Sequence, residues 1–337
     1  MIRSLTKAAS LCVPWTLTVF FLSGCSAYRA VEQAYDSGPA WPAEAPRVRL
    51  ASTIDLGGRL ERGMLKALHR LGDEPSAALF RRPYAVAWAG DDLIVADPDA
   101  RRVVRIDPRG RMAFTPDGLF SMPVGVASCP AGVVVTDSVS GRAGLLSAGM
   151  RLDRWLAQDL ERPTGIACDE NDYFVVETGR HQIVKLDPGG ERTVLGGRGD
   201  GPGRFNFPTS IATHGREVLV GDALNFRIQS FDADSGEYVS EFGRLGDAPG
   251  EMPRIKGIAV DRRGQVWVTD GHLDTVSLYD LDGNLLISIG GTGSSPGEFS
   301  FPTGVAVHPD GRVVVVDSLN RRLQILRLAD SALEKAS

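Results

Sequence analysis

Six acidic residues recur along the chain at nearly constant spacing, and clustered carboxylates can bind a metal ion or act as general acids and bases. Each one closes a hydrophobic run, at intervals of 40, 40, 45, 48 and 47 residues. The set is Asp97, Asp137, Glu177, Asp222, Asp270 and Asp317. An Asp where a strand meets a turn, however, usually accepts hydrogen bonds from nearby backbone amides. We therefore expect a structural role for these acids and no catalytic residue among them.

Arginines follow four of these acids at the same distance. Five residues after the acid stand Arg102, Arg142, Arg227 and Arg322. This spacing places the two charges on opposite sides of one predicted hairpin turn. We therefore expect an Asp–Arg ion pair in four of the six units.

The five histidines do not form a set that could bind a metal ion. His69 lies in a predicted helix, and His181 and His272 lie in hairpin turns at unmatched offsets. His214 and His308 match each other, but they stand at the far ends of strands in non-adjacent units. A zinc site requires several imidazoles or thiolates that converge on one point. We expect no metal site and no cofactor.

The first 24 residues have the features of a secretion signal. Arg3 and Lys7 precede a largely apolar stretch over 8–22, which is short for a membrane span. The stretch ends in Leu-Ser-Gly before Cys25, which resembles the bacterial lipoprotein processing box. The resemblance implies that residues 1–24 are removed and that Cys25 is lipidated. The alternative is an ordinary signal peptide with a Cys there by chance.

The segment after Cys25 bears on where the protein resides. Residue 26 is Ser rather than Asp, which by resemblance to the sorting rule of enteric bacteria favours the outer membrane, on its periplasmic or cell-surface face. Residues 25–46 contain Pro39, Pro42 and Pro46 and are predicted to form a tether from the lipidated Cys. Removal of 1–24 would change the net charge from −5 to −7, which argues against nucleic-acid binding.

Two further cysteines close the first strands of adjacent units. These are Cys129 and Cys168. An oxidising compartment would permit a disulfide between them if their Cα atoms come within about 7 Å. The sequence leaves two alternatives open, a disulfide or two buried thiols.

The elements that position these residues repeat with the acids. A small residue followed by a β-branched residue and Ala begins at Ala85, Gly125, Gly165, Ser210, Gly257 and Gly304. In five of these units Pro stands two residues earlier, and β-branched runs alternate with Asp-Gly turns. Six units of four short strands predict an all-β fold, a six-bladed β-propeller with four-stranded antiparallel blades over 81–328.

The strand count also assigns the ends of the chain. The last unit has only three strands, so the N-terminal strand 47–56 is predicted to close blade six. Residues 57–80 form a predicted short helical insert, because apolar residues recur every three or four positions from Leu60 to Leu71. The insert is either a cap over the closure or a docking element for a partner. Residues 329–337 form a C-terminal tail.

The motifs of the last three units indicate a family. The run 301–307, the turn Asp310-Gly311 and the stretch 315–324 resemble an NHL repeat, as do the Gly-rich loops between units. The whole chain is similar to bacterial six-bladed propeller lipoproteins. The resemblance implies a protein that binds protein, peptide or nucleic acid, although some relatives are enzymes.

The residues just before the small residue of each inner strand should face the mouth of the central channel. With the neighbouring Arg254, the predicted binding residues are Tyr84, Thr164, Thr209, Arg254, Lys256 and Thr303. Related peptide-amidating lyases carry zinc-binding His at this position, and this chain carries none. We therefore expect a binding or scaffold subunit, with an envelope protein or a surface-polysaccharide assembly as the partner and acidic groups on it. The alternative is a lyase- or lactonase-type enzyme acting at the channel mouth.

Overall fold

Runs of β-branched and aromatic residues form strands throughout the described part of the chain. The structure is a computed structural model that describes residues 30–36, 38–44, 47–56 and 80–328. These residues form 26 β-strands and the 3₁₀ turn Thr178–Arg180. Within these ranges no helix is long and apolar enough to cross a bilayer. The signal peptide, Cys25, the predicted helix and the C-terminal tail lie outside the described residues.

The first three blades are four-stranded antiparallel sheets with the strands in sequence order. Blade 1 contains β4 (Ala85–Ala89), β5 (Asp92–Asp97), β6 (Arg102–Ile106) and β7 (Met112–Phe114). Blade 2 contains β8 (Pro123–Cys129), β9 (Gly132–Asp137), β10 (Arg142–Leu146) and β11 (Leu152–Ala157). Blade 3 contains β12 (Pro163–Cys168), β13 (Tyr173–Glu177), β14 (Gln182–Leu186) and β15 (Arg192–Gly196).

Blades 4 and 5 repeat the same plan, and blade 6 is completed from the N-terminal side. Blade 4 contains β16 (Pro208–His214), β17 (Glu217–Asp222), β18 (Arg227–Asp232) and β19 (Tyr238–Phe242). Blade 5 contains β20 (Ile255–Val260), β21 (Val266–Asp270), β22 (Thr275–Tyr279) and β23 (Leu285–Gly290). Blade 6 contains β24 (Pro302–Val307), β25 (Arg312–Asp317) and β26 (Arg322–Leu328), and its fourth strand is β3 (Val48–Asp55).

The ring closes as the sequence predicts. Strand β3 pairs antiparallel with β26, from Asp55 opposite Arg322 to Val48 opposite Leu328. The inner strands of neighbouring blades contact one another around the ring, and β24 contacts β4. The all-β six-bladed propeller, with an N-terminal strand in its last blade, is therefore confirmed.

Part of the segment predicted as a tether is folded instead. Two short strands, β1 (Val31–Ala34) and β2 (Ala40–Trp41), both pair with β3. The hydroxyl of Ser52 donates to the Glu32 carboxylate at 2.6 Å, and the backbone N–H of Leu50 donates to the Pro39 carbonyl at 2.8 Å. The tether prediction is thus wrong for these residues, because the outer edge of β3 offers backbone groups that need partners.

Six apolar clusters lie one between each pair of neighbouring blades. Side chains alternate between the two faces of each strand, so every blade contributes to the two clusters that flank it. Small residues allow the inner strands to approach at the axis. A Cβ at Gly304 would stand 2.8 Å from the Cα of Ala85, and one at Gly165 would stand 2.9 Å from the Thr209 carbonyl oxygen.

Candidate functional site

The six acids anchor the loops that lead into the inner strands. In each blade the acid accepts a hydrogen bond from a backbone N–H one to four residues before the first strand, at 2.6–2.8 Å. The donors are Arg81, Ser121, Glu161, Asn206, Arg254 and Ser300. All six acids are buried. The predicted structural role is confirmed, and these carboxylates position the loops around the channel mouth.

Only two of the four predicted Asp–Arg pairs are present. The Nε of Arg227 lies 3.1 Å from Asp222, and the Nε of Arg322 lies 2.6 Å from Asp317. The prediction is wrong for Arg102 and Arg142. Their guanidinium groups stack on the outer-strand rings of Phe114 and Trp155, at 5.5 and 5.2 Å from the ring centroids, and cation–π attraction replaces the ion pair.

One loop position alternates between arginine and apolar residues around the channel mouth. It is the residue immediately before the inner strand's first Pro, or before Ile255 in blade 5. Blades 1, 3 and 5 have Arg82, Arg162 and Arg254, and blades 2, 4 and 6 have Met122, Phe207 and Phe301. Arg82 and Arg162 were not among the predicted binding residues, which stand directly after the Pro. They stand two residues before that position in the same repeat, so the repeat itself could have identified them.

Phe301 brings three cationic groups together. Its ring centroid lies 5.8 Å from the Arg82 Cζ, 5.4 Å from the Arg254 Cζ and 5.2 Å from the Lys256 Nζ. The backbone of Phe301 is in the left-handed region, and its N–H donates to the Asp274 carboxylate at 2.7 Å. The ring is therefore held in place where blades 1, 5 and 6 meet at the channel mouth.

The electrostatics of this cluster are strongly positive. Burial and the nearby arginines Arg254, Arg82 and Arg162 lower the pKa of Lys256 to about 8, against a smaller opposing effect of Asp270. Burial raises the pKa of the Tyr84 hydroxyl, although the same three arginines act in the opposite direction. The structure therefore brings the predicted residues Tyr84, Arg254 and Lys256 into one electrostatic cluster.

Gly271 provides the space for the Lys256 stem. A Cβ at this position would stand 3.0 Å from the Lys256 Cγ and 3.2 Å from the Phe301 Cε2. The aliphatic part of Lys256 thus packs between the Phe301 ring and the backbone of Gly271, and the ammonium group remains at the channel mouth.

The three predicted threonines have different surroundings. The hydroxyl of Thr164 is 2.7 Å from the Thr178 hydroxyl, which donates in turn to the Pro208 carbonyl. The Oγ1 atoms of Thr209 and Thr303 are buried and have no hydrogen-bond partner within the described residues. Thr303 is fully buried, so the prediction that it belongs to a contact surface is wrong: it lies beneath the surface.

The acidic and histidine side chains of the described blades do not converge. No group of three or more His, Cys, Asp or Glu within these ranges is arranged to hold a metal ion. His181 instead accepts a hydrogen bond from the backbone N–H of Phe207 at 3.1 Å. It thus supports the loop of blade 4 much as Asp274 supports that of blade 6.

Exposed apolar side chains lie on the same face as the cationic cluster. Val139, Leu224 and Leu319 lie in the turns between the second and third strands of blades 2, 4 and 6, and are 68, 50 and 57% exposed. Met122 is 38% exposed. The backbone N–H of Leu224 donates to Asn206, and that of Leu319 donates to Ser300, so these turns lie on the channel-mouth face.

The opposite end of the channel carries the disulfide. Cys129 and Cys168 are bonded, with their Cα atoms 5.9 Å apart, and they link the inner strands of blades 2 and 3. This resolves the alternative that the sequence left open. The hydrophobic cluster between these two blades surrounds the bond.

Comparison with known proteins supports both the fold and the repeat. A virginiamycin B lyase from Staphylococcus aureus superposes with a TM-score of 0.56 at 14% identity, over 90% of this chain and 96% of the lyase. A gluconolactonase from Xanthomonas campestris superposes with a TM-score of 0.59 at 16% identity, over 88 and 99% of the two chains. At such identities the likeness shows the fold alone, and the chain is a six-bladed β-propeller.

The sequence matches are local. The NHL repeat model matches residues 299–326, which contain most of blade 6. The human E3 ubiquitin-protein ligase TRIM32 is 31% identical over 102 residues, which cover 27% of this chain and 15% of the ligase. The mouse protein of the same name is 30% identical over the same length. The chain thus spans about 15% of the length of the curated relatives it matches, and one stretch of it, in blade 6, matches the NHL repeat model.

Proposed function

We propose that this chain is a lipid-anchored binding subunit of the bacterial cell envelope, and that its channel-mouth face binds an acidic segment of an envelope protein. The observation that carries the proposal is the alternation around this face. Arginines project from blades 1, 3 and 5, and exposed apolar side chains project from blades 2, 4 and 6. Such a mixture of cationic and apolar groups fits a protein partner with complementary charge.

Two features support the cellular setting. The lipoprotein box at Cys25 supports an anchor. The disulfide between Cys129 and Cys168 supports an oxidising compartment outside the cytoplasm, because glutathione and thioredoxin keep most cytoplasmic thiols reduced.

The test is affinity capture from detergent-solubilised membranes with the full chain and two variants. Arg162→Glu with Leu224→Glu alters the channel-mouth face, and Arg151→Glu reverses a charge in the β10–β11 turn at the opposite end. We expect a captured protein to be lost with the first variant and retained with the second, and released by salt. A partner that binds both variants equally would overturn the proposed face.

The anchor is tested separately. Mass spectrometry of the mature N-terminus should find a diacylglyceryl group on Cys25, and Cys25→Ser should release the protein from the membrane fraction. An unmodified N-terminus at another residue would overturn this part of the proposal.

A further inference from the structure

We propose that the centre of the channel mouth is a binding site for multivalent oxyanions, in which Arg82, Arg162, Arg254 and Lys256 hold carboxylate or phosphate groups that carry at least two negative charges. The inference rests on the proposed function only in that it uses the same face. It adds the chemical class of ligand and the residues that would bind it.

Charge compensation is incomplete at this site. Two arginines elsewhere in the blades have buried carboxylate partners, Arg227 with Asp222 and Arg322 with Asp317. Within the described ranges, the side chains of the four channel-mouth cations form neither an ion pair nor a hydrogen bond. Lys256 is half-buried and the three arginines are exposed. Four mutually repelling cations are stabilised by an anion bound among them.

The carboxylate that acts on Lys256 is already engaged within the protein. Asp270 acts on Lys256 electrostatically, but its own oxygens accept hydrogen bonds from the backbone N–H groups of Arg254, His272 and Leu273. These backbone N–H groups already compensate the negative charge of Asp270. A ligand is therefore needed to neutralise the positive charge at the channel mouth.

The donors are grouped around one aromatic ring. The guanidinium groups of Arg82 and Arg254 and the ammonium group of Lys256 all lie within 6 Å of the Phe301 centroid. An arginine beside a ring retains N–H groups that can donate to an oxyanion as a bidentate pair. Three cationic groups around one fixed ring are therefore preorganised to share a ligand with more than one anionic group.

The channel wall supplies one more donor. The buried hydroxyl of Thr209 stands directly after the Pro in blade 4, two residues from Phe207. It has no hydrogen-bond partner within the described protein. A ligand oxygen that enters the channel mouth offers an acceptor at this depth.

Binding should be coupled to protonation of Lys256. The groups that face its ammonium are Arg254, Arg82, Asp270 and Arg162, and the Phe301 ring lies beside it. A bound anion favours the charged amine and raises its pKa from about 8. At pH 8.5 most free Lys256 is neutral, so ligand binding takes up a proton, and affinity falls as pH rises above 8.

The experiment is isothermal titration calorimetry at pH 8.5 in two buffers with different heats of ionisation, with citrate and pyrophosphate as probes and acetate as a monovalent control. We expect saturable binding of one multivalent probe per chain, uptake of up to about three quarters of a proton, which is the neutral fraction of free Lys256 at pH 8.5, and little binding of acetate. Citrate binding alone would assign a carboxylate ligand, and pyrophosphate binding alone a phosphate ligand. Both results support the site.

Variants of the chain distinguish a specific binding site from general electrostatic attraction of anions. Lys256→Met should abolish the proton uptake, and Arg162→Gln should weaken binding about tenfold or more because it removes charge-assisted hydrogen bonds. Lys185→Met is the matched control, since the Lys185 amine is paired with Asp172 at 2.9 Å in blade 3. Thermal unfolding checks that each variant is folded. Binding of neither probe, or binding unchanged in both channel-mouth variants, would overturn the inference.

The two proposals fail independently. Loss of anion binding with intact partner capture would refute the anion site alone. Anion binding without any captured partner would refute the scaffold role and leave the site as a receptor for a small ligand.

Discussion

Lys256 in blade 5 lies beside Phe301, the residue that leads into blade 6, with its Nζ 5.2 Å from the centre of the ring. Two blades thus meet at the channel mouth through a cation and an aromatic ring.

The chemical reactivity of Lys256 should exceed that of an ordinary lysine. Its pKa of about 8 leaves roughly 200-fold more neutral amine at pH 7.5 than a pKa of 10.5 would. We expect an amine-reactive acylating reagent to modify Lys256 at least tenfold faster than Lys185, as measured by peptide mass spectrometry. Equal rates at the two sites would contradict the depressed pKa.

Removal of the Lys256 charge should stabilise the anion-free protein. A lowered lysine pKa means that the folded state disfavours the charged form, so the penalty is complete below pH 8 and disappears above about pH 10.5. Lys256→Met, which keeps the aliphatic stem, should therefore unfold at a higher temperature at pH 7, and the difference should shrink towards pH 10.5. A difference that grows with pH would have the wrong sign.

Gly271→Ala should disturb the packing of the channel mouth. The new methyl group would meet Lys256 Cγ at 3.0 Å and Phe301 Cε2 at 3.2 Å, so the side chains must shift. Overpacking of this kind costs about 1–3 kcal/mol in the free energy of unfolding, measured in urea. Gly201→Ala is the control, because no atom lies within 4 Å of its Cβ position. An equal loss of unfolding free energy in both variants would show that the close packing at position 271 does not contribute to stability.

Asp317 should be essential to the last blade. It accepts hydrogen bonds from Ser300, Asn320 and Arg322, and its removal leaves the partly buried Arg322 without its carboxylate. We expect Asp317→Ala to cost about 3–5 kcal/mol of stability. Asp310→Ala, at a more exposed ion pair of the same blade, should cost less than about 1 kcal/mol. Urea unfolding of the two variants measures the contrast, and similar losses would refute a special role for the buried acid.

The disulfide should stabilise the ring mainly by restricting the unfolded chain. The bonded cysteines are 39 residues apart, which corresponds to about 4 kcal/mol in the loop-entropy description. Reductant should lower the urea midpoint of the native chain and leave that of the Cys129→Ser, Cys168→Ser variant unchanged. A native chain whose midpoint does not respond to complete reduction would contradict this.

The repeat made the blades predictable because two sequence markers keep the same register. Each acid holds the equivalent loop of its own blade, so the acids recur at equivalent positions in the sequence. Asp97 and Asp317, for example, each accept a hydrogen bond from a backbone N–H of that loop. The closing strand followed from a strand count, since a four-stranded blade with only three strands at its end needs one more.

Other features could not be predicted because they depend on contacts between distant parts of the chain. Arg142 stacks on Trp155 instead of pairing with Asp137. The spacing of the sequence does not indicate which of these two partners the arginine contacts. The strand over 31–34 lies in a segment whose prolines suggested an extended linker. The cationic cluster needs blades 1, 3 and 5 to converge, which the linear sequence shows only once the ring is known.

The pairing of β3 with β26 also fixes when the ring can be completed. Residues 48–55 leave the ribosome long before their partners at 322–328. The first five blades can form while synthesis proceeds, but the sixth must wait until residues 322–328 have emerged. A product that stops before residue 322 lacks the partner of β3 and leaves an open sheet edge, a feature that proteases and chaperones can recognise.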